Sequence, residues 1–251
     1  MRKKLLALCC AAAFFTISLP INFVNADSNS GLTLVQTKSY ELNGEQFEVE
    51  TWRDVYGNEI HSIPTNVENK SEVSEYVKNL ISDENEANKI SYEDEVFTPL
   101  ANTELFAWTK PYLSAVDHVN NNARVELRTS GYNEYNHPGD IVNTMAVNNG
   151  TMRGEWLGAG TADKIVLRYS YEFTGGTITI SYPPSLQKSG TTVSWSSDPV
   201  PNVWFLNTST EAARANSILF SGLNIKAASD IYKGSNIYKP TITEKINFPK
   251  E

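Results

Sequence analysis

The sequence predicts a mainly β protein: a C-terminal antiparallel β-sandwich or jelly roll, preceded by a small three-stranded meander plus one helix. Three observations carry that expectation. Short runs of alternating apolar and polar residues recur through residues 104–251, divided by Gly, Pro, Asn and Asp clusters. Near the start, two alternating runs meet at Asn43 and Gly44, a pair suited to a two-residue hairpin turn. Between these regions the apolar period changes from two to 3.6 in "NKSEVSEYVKNLIS", where Val73, Tyr76, Val77, Leu80 and Ile81 fall on one helical face.

The elements follow in chain order. Residues 1–26 carry Arg2, Lys3 and Lys4, then an apolar stretch from Leu5 to Leu19, then small residues ending at Ala26, as a secretory signal peptide does. The stretch is too short for a permanent membrane span, and Cys9 and Cys10 within it are the only cysteines. Residues 27–251 therefore have no disulfide or thiolate chemistry, and a cysteine-free exported chain points to bacterial origin and an extracellular destination.

Residues 27–81 read as a small acidic unit. Asn43-Gly44 pairs Tyr40 with Phe47, a second turn is expected at Gly57 and Asn58, and a helix starts at Asn69 with Glu72 completing its capping box. Residues 82–103 show no sustained periodicity and read as an acidic linker. Charge divides the chain at the same place. Residues 27–103 hold sixteen Asp or Glu against five Lys or Arg, whereas residues 104–251 hold thirteen of each, which suggests two units with different tasks. Neither has a basic stripe, so nucleic acid is not an expected partner.

Within 104–251 the expected strands lie in "LFAWT", "ARVELRTS", "DIVNTMAV", "TMRGEWLG", "KIVLRYSYEFT", "TITISY", "TTVSWSS", "NVWFLN", "NSILFSGLNIKA" and "YKPTITEKINF", with a short helix in "STEAARA". The stretch "RYSYEFTGGTITISYPPS" reads as a hairpin turning at Gly175 and Gly176, which would pair Phe173 with Ile178, Tyr171 with Ile180 and Tyr169 with Tyr182. Its aromatic row, continued by Leu167 and Ile165, is too costly to leave in water and is expected in the core. A membrane-spanning role for that hairpin is disfavoured, because Pro183 and Pro184 end its second strand after five residues.

The chemistry is sparse. No G-x-S-x-G, H-E-x-x-H, P-loop or G-x-G-x-x-G motif occurs in residues 27–251, which points away from the common enzyme frameworks, and no cofactor is required. In "YNEYNHPGD", Glu134, His137 and Asp140 recur every three residues and offer a candidate metal site, Ca²⁺ included, against the plainer reading of a hydrogen-bonded turn. Trp204 shares a face with Leu206 in "PNVWFLN" and is the expected exposed platform for a ligand, with Tyr232 and Tyr238 as companions. Together these features point to a secreted, non-enzymatic binding protein whose sandwich recognises a cell-surface glycan or protein. The alternatives are a secreted toxin or bacteriocin-like protein restrained by its acidic N-terminal region, and a carboxylate-dependent secreted hydrolase.

Overall fold

The structure is a computed structural model and describes residues 31–88, 103–119, 121–136 and 142–248. It is mostly β, with antiparallel sheets, and a strand meander and a helix precede a sandwich-like C-terminal arrangement. The expected signal peptide, His137 and Asp140 lie outside the described residues.

β1 (Thr33–Leu42) and β2 (Glu45–Arg53) form the expected hairpin, with Tyr40 opposite Phe47. Asn43 and Gly44 have φ of 53° and 83°, the left-handed pair that a twisted two-residue turn demands. β3 (Glu59–Ile63) follows through a five-residue loop rather than a turn at Gly57 and Asn58. Asp54 organises this loop: its carboxylate accepts from the Tyr56 and Asn58 amides and the Asn58 side chain. The helix α1 (Lys70–Asn88) starts beyond Asn69, whose side chain donates to Glu72 at 2.7 Å, and continues into the stretch read as a linker.

The described strands, β1–β3 included, form two sheets. The larger has ten strands. β4 (Thr103–Val116) pairs along β5 (Ala123–Asn136); β6 (Asn143–Val147) and β7 (Gly150–Trp156) run end to end on the other side of β5. β13 (Phe205–Thr210) and β14 (Ala213–Ser217) run end to end beside them. β3 pairs with β13, so the N-terminal meander is hydrogen-bonded into the same sheet as the C-terminal half. The stretch expected as a short helix, residues 209–215, instead ends β13 and begins β14; alternating burial across from β6 makes Ala213 and Ala215 core residues of a strand.

The seven-stranded sheet is built on β8 (Lys164–Gly175) and β15 (Phe220–Lys233). β11 (Thr192–Ser196), with β10 (Gln187–Ser189) beyond it, and β12 (Val200–Pro201) line the far edge of β8; β16 (Asn236–Tyr238) and β17 (Thr241–Asn247) line that of β15. The core lies between the sheets, where Ile165, Leu167, Tyr169, Tyr171 and Phe173 of β8 are all buried.

The aromatic row is thus core, but the hairpin proposed to present it does not form. β9 (Ile178–Ser181) pairs with β14 in the other sheet. β8 has β11 on one edge and β15 on the other, so no edge is left for β9. At Gly175 and Gly176 the chain crosses between layers, and at Gly175 only glycine fits: a Cβ there would lie 2.0 Å from the Leu219 carbonyl oxygen. Ile180 is buried on the opposing layer, and Tyr182 is exposed.

Candidate functional site

Each sheet has an outer face, and the two differ. Side chains alternate along a strand, so register assigns them to faces. On the large sheet, Arg124 lies opposite Glu155 and Glu126 opposite Arg153, a checkerboard of charge on the outer side. Helix α1 covers it. The Arg153 guanidinium donates to Ser74 at 2.9 Å, pairs with Glu75 at 2.7 Å, and also pairs with Glu126. Glu155 is closed by Arg124 and the Ser74 hydroxyl, and Glu126 accepts from the Tyr112 hydroxyl at 2.7 Å.

Burial alone would depress the Arg153 guanidinium, but Glu155, Glu75 and Glu126 hold it above its ordinary range. Burial would raise the Glu75 carboxyl, yet hydrogen bonds and charge from Lys78 and Arg153 outweigh this and bring it down to about 2. The Tyr112 hydroxyl is raised, first by its bond to Glu126. Every carboxylate of this cluster is engaged by a partner inside it, and Arg153, Glu126 and Glu155 are buried. The chemistry it performs is attachment of the helix. The apolar side of α1, through Val73, Val77 and Ile81, joins the same core as Phe47, Val49, Ile63 and Phe205.

A second fastening is at the start of α1. The Lys70 ammonium donates to the carbonyls of Trp156 at 3.1 Å and of Gly158 and Gly160 at 2.5 Å, and lies 5.6 Å from the Trp204 ring centre. Burial, with Lys233 adding to it, lowers the ammonium to about 8.

Among the described residues, no helix lies on the outer face of the seven-stranded sheet. Its central rows read across the strands as Ser196, Arg168, Ala228, Thr241; then Ser194, Ser170, Lys226, Thr243; then Thr192, Glu172, Asn224, Lys245. Hydroxyl, amide and charged groups therefore stand side by side on a sheet surface. Arg168 pairs with the buried Asp230, and the Asn224 amide donates to Glu172 at 3.0 Å, so two of the polar groups are held in place. At one end Tyr232 stands opposite Ile237, and the Lys164 ammonium lies 4.4 Å from the Tyr232 ring centre.

The residues singled out from sequence are distributed as follows. Trp204 is not an exposed platform: it is fully buried, and its indole N–H donates to the Thr65 carbonyl at 2.8 Å. Its face reading failed because β13 begins at Phe205, after Trp204, and the covering groups come from Thr65 and Lys70, far away in sequence. Tyr232 stands on the open face, whereas Tyr238, opposite Ile231, has its ring 5.1 Å from Trp156. The two tyrosines thus serve different faces of one hairpin. Glu134 is buried on the outer side of the large sheet, with Arg214 at 3.4 Å and with Thr144 opposite in register. Among the described residues, no group of three or more His, Cys, Asp or Glu is arranged to hold a metal ion.

Residues not anticipated from sequence are Lys70 and the Arg124, Glu126, Arg153, Glu155 set. A signal for the latter was present: "RVE" and "RGE" each place opposite charges two residues apart, and antiparallel pairing sets them in complementary order.

Fold and site define a two-layer antiparallel β protein with one outer face fastened under a helix and the other open. No family model matches the chain, and no curated protein matches it. One solved structure, described as "Complete structure of manganese lipoxygenase of Gaeumannomyces graminis and partial structure of zonadhesin of Komagataella pastoris", aligns with 80% of this chain and 88% of its own at 9% identity. Its TM-score is 0.16, and the likeness carries no argument.

Proposed function

We propose that this chain is a secreted, non-enzymatic binding protein, carried out of a bacterial cell by residues 1–26, and that its sandwich recognises a cell-surface glycan or protein. The observation that supports this reading is the open face of the seven-stranded sheet, where Ser170, Ser194, Asn224, Thr241 and Thr243 present hydrogen-bonding groups in register. A rigid sheet presents such groups with little ordering cost on binding, the condition under which weak polar contacts add up to useful affinity. A glycan array and a panel of whole cells, probed with the wild-type chain and an Asn224→Ala/Thr243→Ala variant, test it. Binding should weaken at least tenfold, about 1.4 kcal/mol, at unchanged melting temperature. Equal binding by both proteins would move the ligand off this face.

A second reading, a secreted toxin restrained by its acidic N-terminal region, draws support from the ion-paired hold of α1 on the large sheet. Its test is liposome leakage before and after a protease cut between residues 89 and 102. Leakage confined to the cut protein would favour restraint, and silence in both forms would remove it.

A further inference from the structure

We propose that the ligand of the open face is an anionic glycan, one bearing carboxylate, sulfate or phosphate groups along its chain; this rests on the binding role given to that face above. The observation is a reversal of sign. The whole chain carries a formal net charge of −8. Among the described residues, the strands of the seven-stranded sheet nonetheless set Lys164, Arg168, Lys226 and Lys245 on the outer face against Glu172 and Asp230.

Three of the cations are aligned. Arg168 is two residues along β8 from Ser170, the partner of Lys226, and Lys245 is two residues along β17 from Thr243, the other partner of Lys226. The side chains therefore form a diagonal across three adjacent strands, each step about 7–8 Å as for diagonal neighbours on one sheet face. Lys226 and Lys245 are exposed. Arg168, whose side chain is 47% exposed, uses one nitrogen on Asp230 and carries further N–H donors on the same guanidinium. Both face carboxylates are engaged, Asp230 by Arg168 and Glu172 by Asn224, so the repulsion they would offer an anion is reduced.

A regular diagonal of cations flanked by hydroxyl and amide groups complements a linear polymer that carries charges at intervals and hydroxyls between them. A lipid surface fits less well. Apart from Ile237 beside Tyr232, the exposed large apolar side chains lie elsewhere, including Leu105, Phe106, Val142, Ile218 and Leu219. A membrane-docking face would gather such groups among its cations.

The experiment uses the full chain with dextran sulfate, polygalacturonate and neutral dextran, followed by titration calorimetry at two salt concentrations. Lys226→Gln/Lys245→Gln is the test variant, and Lys188→Gln, which stands opposite the inward-facing Val193, is the control. The expected result is binding to at least one charged polymer, weakened by salt and at least tenfold weaker in the double variant, with the control and all melting temperatures unchanged. Equal affinity of the double variant, or binding only to phosphatidylglycerol vesicles or duplex DNA, overturns the proposal. Binding to neutral dextran that the double variant retains overturns the anionic ligand and leaves the binding face standing. Failure to bind any glycan, charged or neutral, overturns both.

Discussion

The two outer faces of this molecule are made from similar materials and end in opposite states. Each carries charged residues at alternate strand positions. On the large sheet Arg124, Glu126, Arg153 and Glu155 neutralise one another beneath α1, and Glu155 is fully buried. On the smaller sheet Arg168, Lys226 and Lys245 meet solvent. Alternation reports which side of a strand is polar; it does not report whether another element covers that side. A covered polar face must be complementary within itself, because an unpaired buried charge costs several kcal/mol. An uncovered one has no such requirement and can keep its charge for a partner.

The largest effect is expected at Arg153. Arg153→Ala removes one of the two cations that Glu126 and Glu155 share and leaves them Arg124 alone, so unfolding in denaturant should show a loss of about 3–5 kcal/mol. A loss under 1 kcal/mol would mean the covered face behaves like the open one. Phe173→Ala, in the core between the faces, should cost about 3–5 kcal/mol through lost burial and a cavity. Removing the helix cap with Asn69→Ala should cost about 1 kcal/mol in the same assay.

Acid sharpens the contrast further. The Glu75 carboxyl, at about 2 in the folded protein, lies below its unfolded value, so its contribution is full above the unfolded value and is lost as pH falls toward 2. The wild-type melting temperature should therefore drop more steeply between pH 5 and pH 2 than that of Glu75→Gln, with pH values set by those two limits. Parallel profiles would show that Glu75 does not help hold α1. The smallest effect belongs to the open face. Glu172→Ala, one residue from Phe173, should change stability by no more than about 0.5 kcal/mol.

How much of this was legible follows from range. Turns and periods are local, so Asn43-Gly44, the Asn69 cap and the strand segments could be read from the chain. The burial of Tyr171 and Phe173 could also be read, because an apolar row of that length on one side of β8 is too costly to leave in water. The failed hairpin at Gly175 shows where local reasoning stops. A glycine pair fits a tight turn and a crossing between layers equally well, and the choice depended on β11 and β15 occupying both edges of β8. Trp204 failed for a related reason: the carbonyl that takes its N–H is 139 residues away. For Tyr232 and Tyr238, proximity in sequence was right and shared orientation was not, since their register places them on opposite sides of one hairpin. "STEAARA" has helical composition, but Ala213 and Ala215 obey the period of the sheet they enter.

The pairing of β3 with β13 has a consequence in time as well as in space. Thr208 donates to the Glu59 carbonyl across a separation of 149 residues, so the meander at the front of the chain finds its neighbouring strand only after most of the chain is present. A β1–β2–β3 sheet alone would expose an unfilled edge and the apolar side that α1 shares with Phe205. Closing so long a loop costs configurational freedom before any pairing repays it, and sheets joined in this way assemble on the millisecond-to-second scale rather than in microseconds. Until β3 and β13 pair, the strand edges that will meet are open to pairing with other chains.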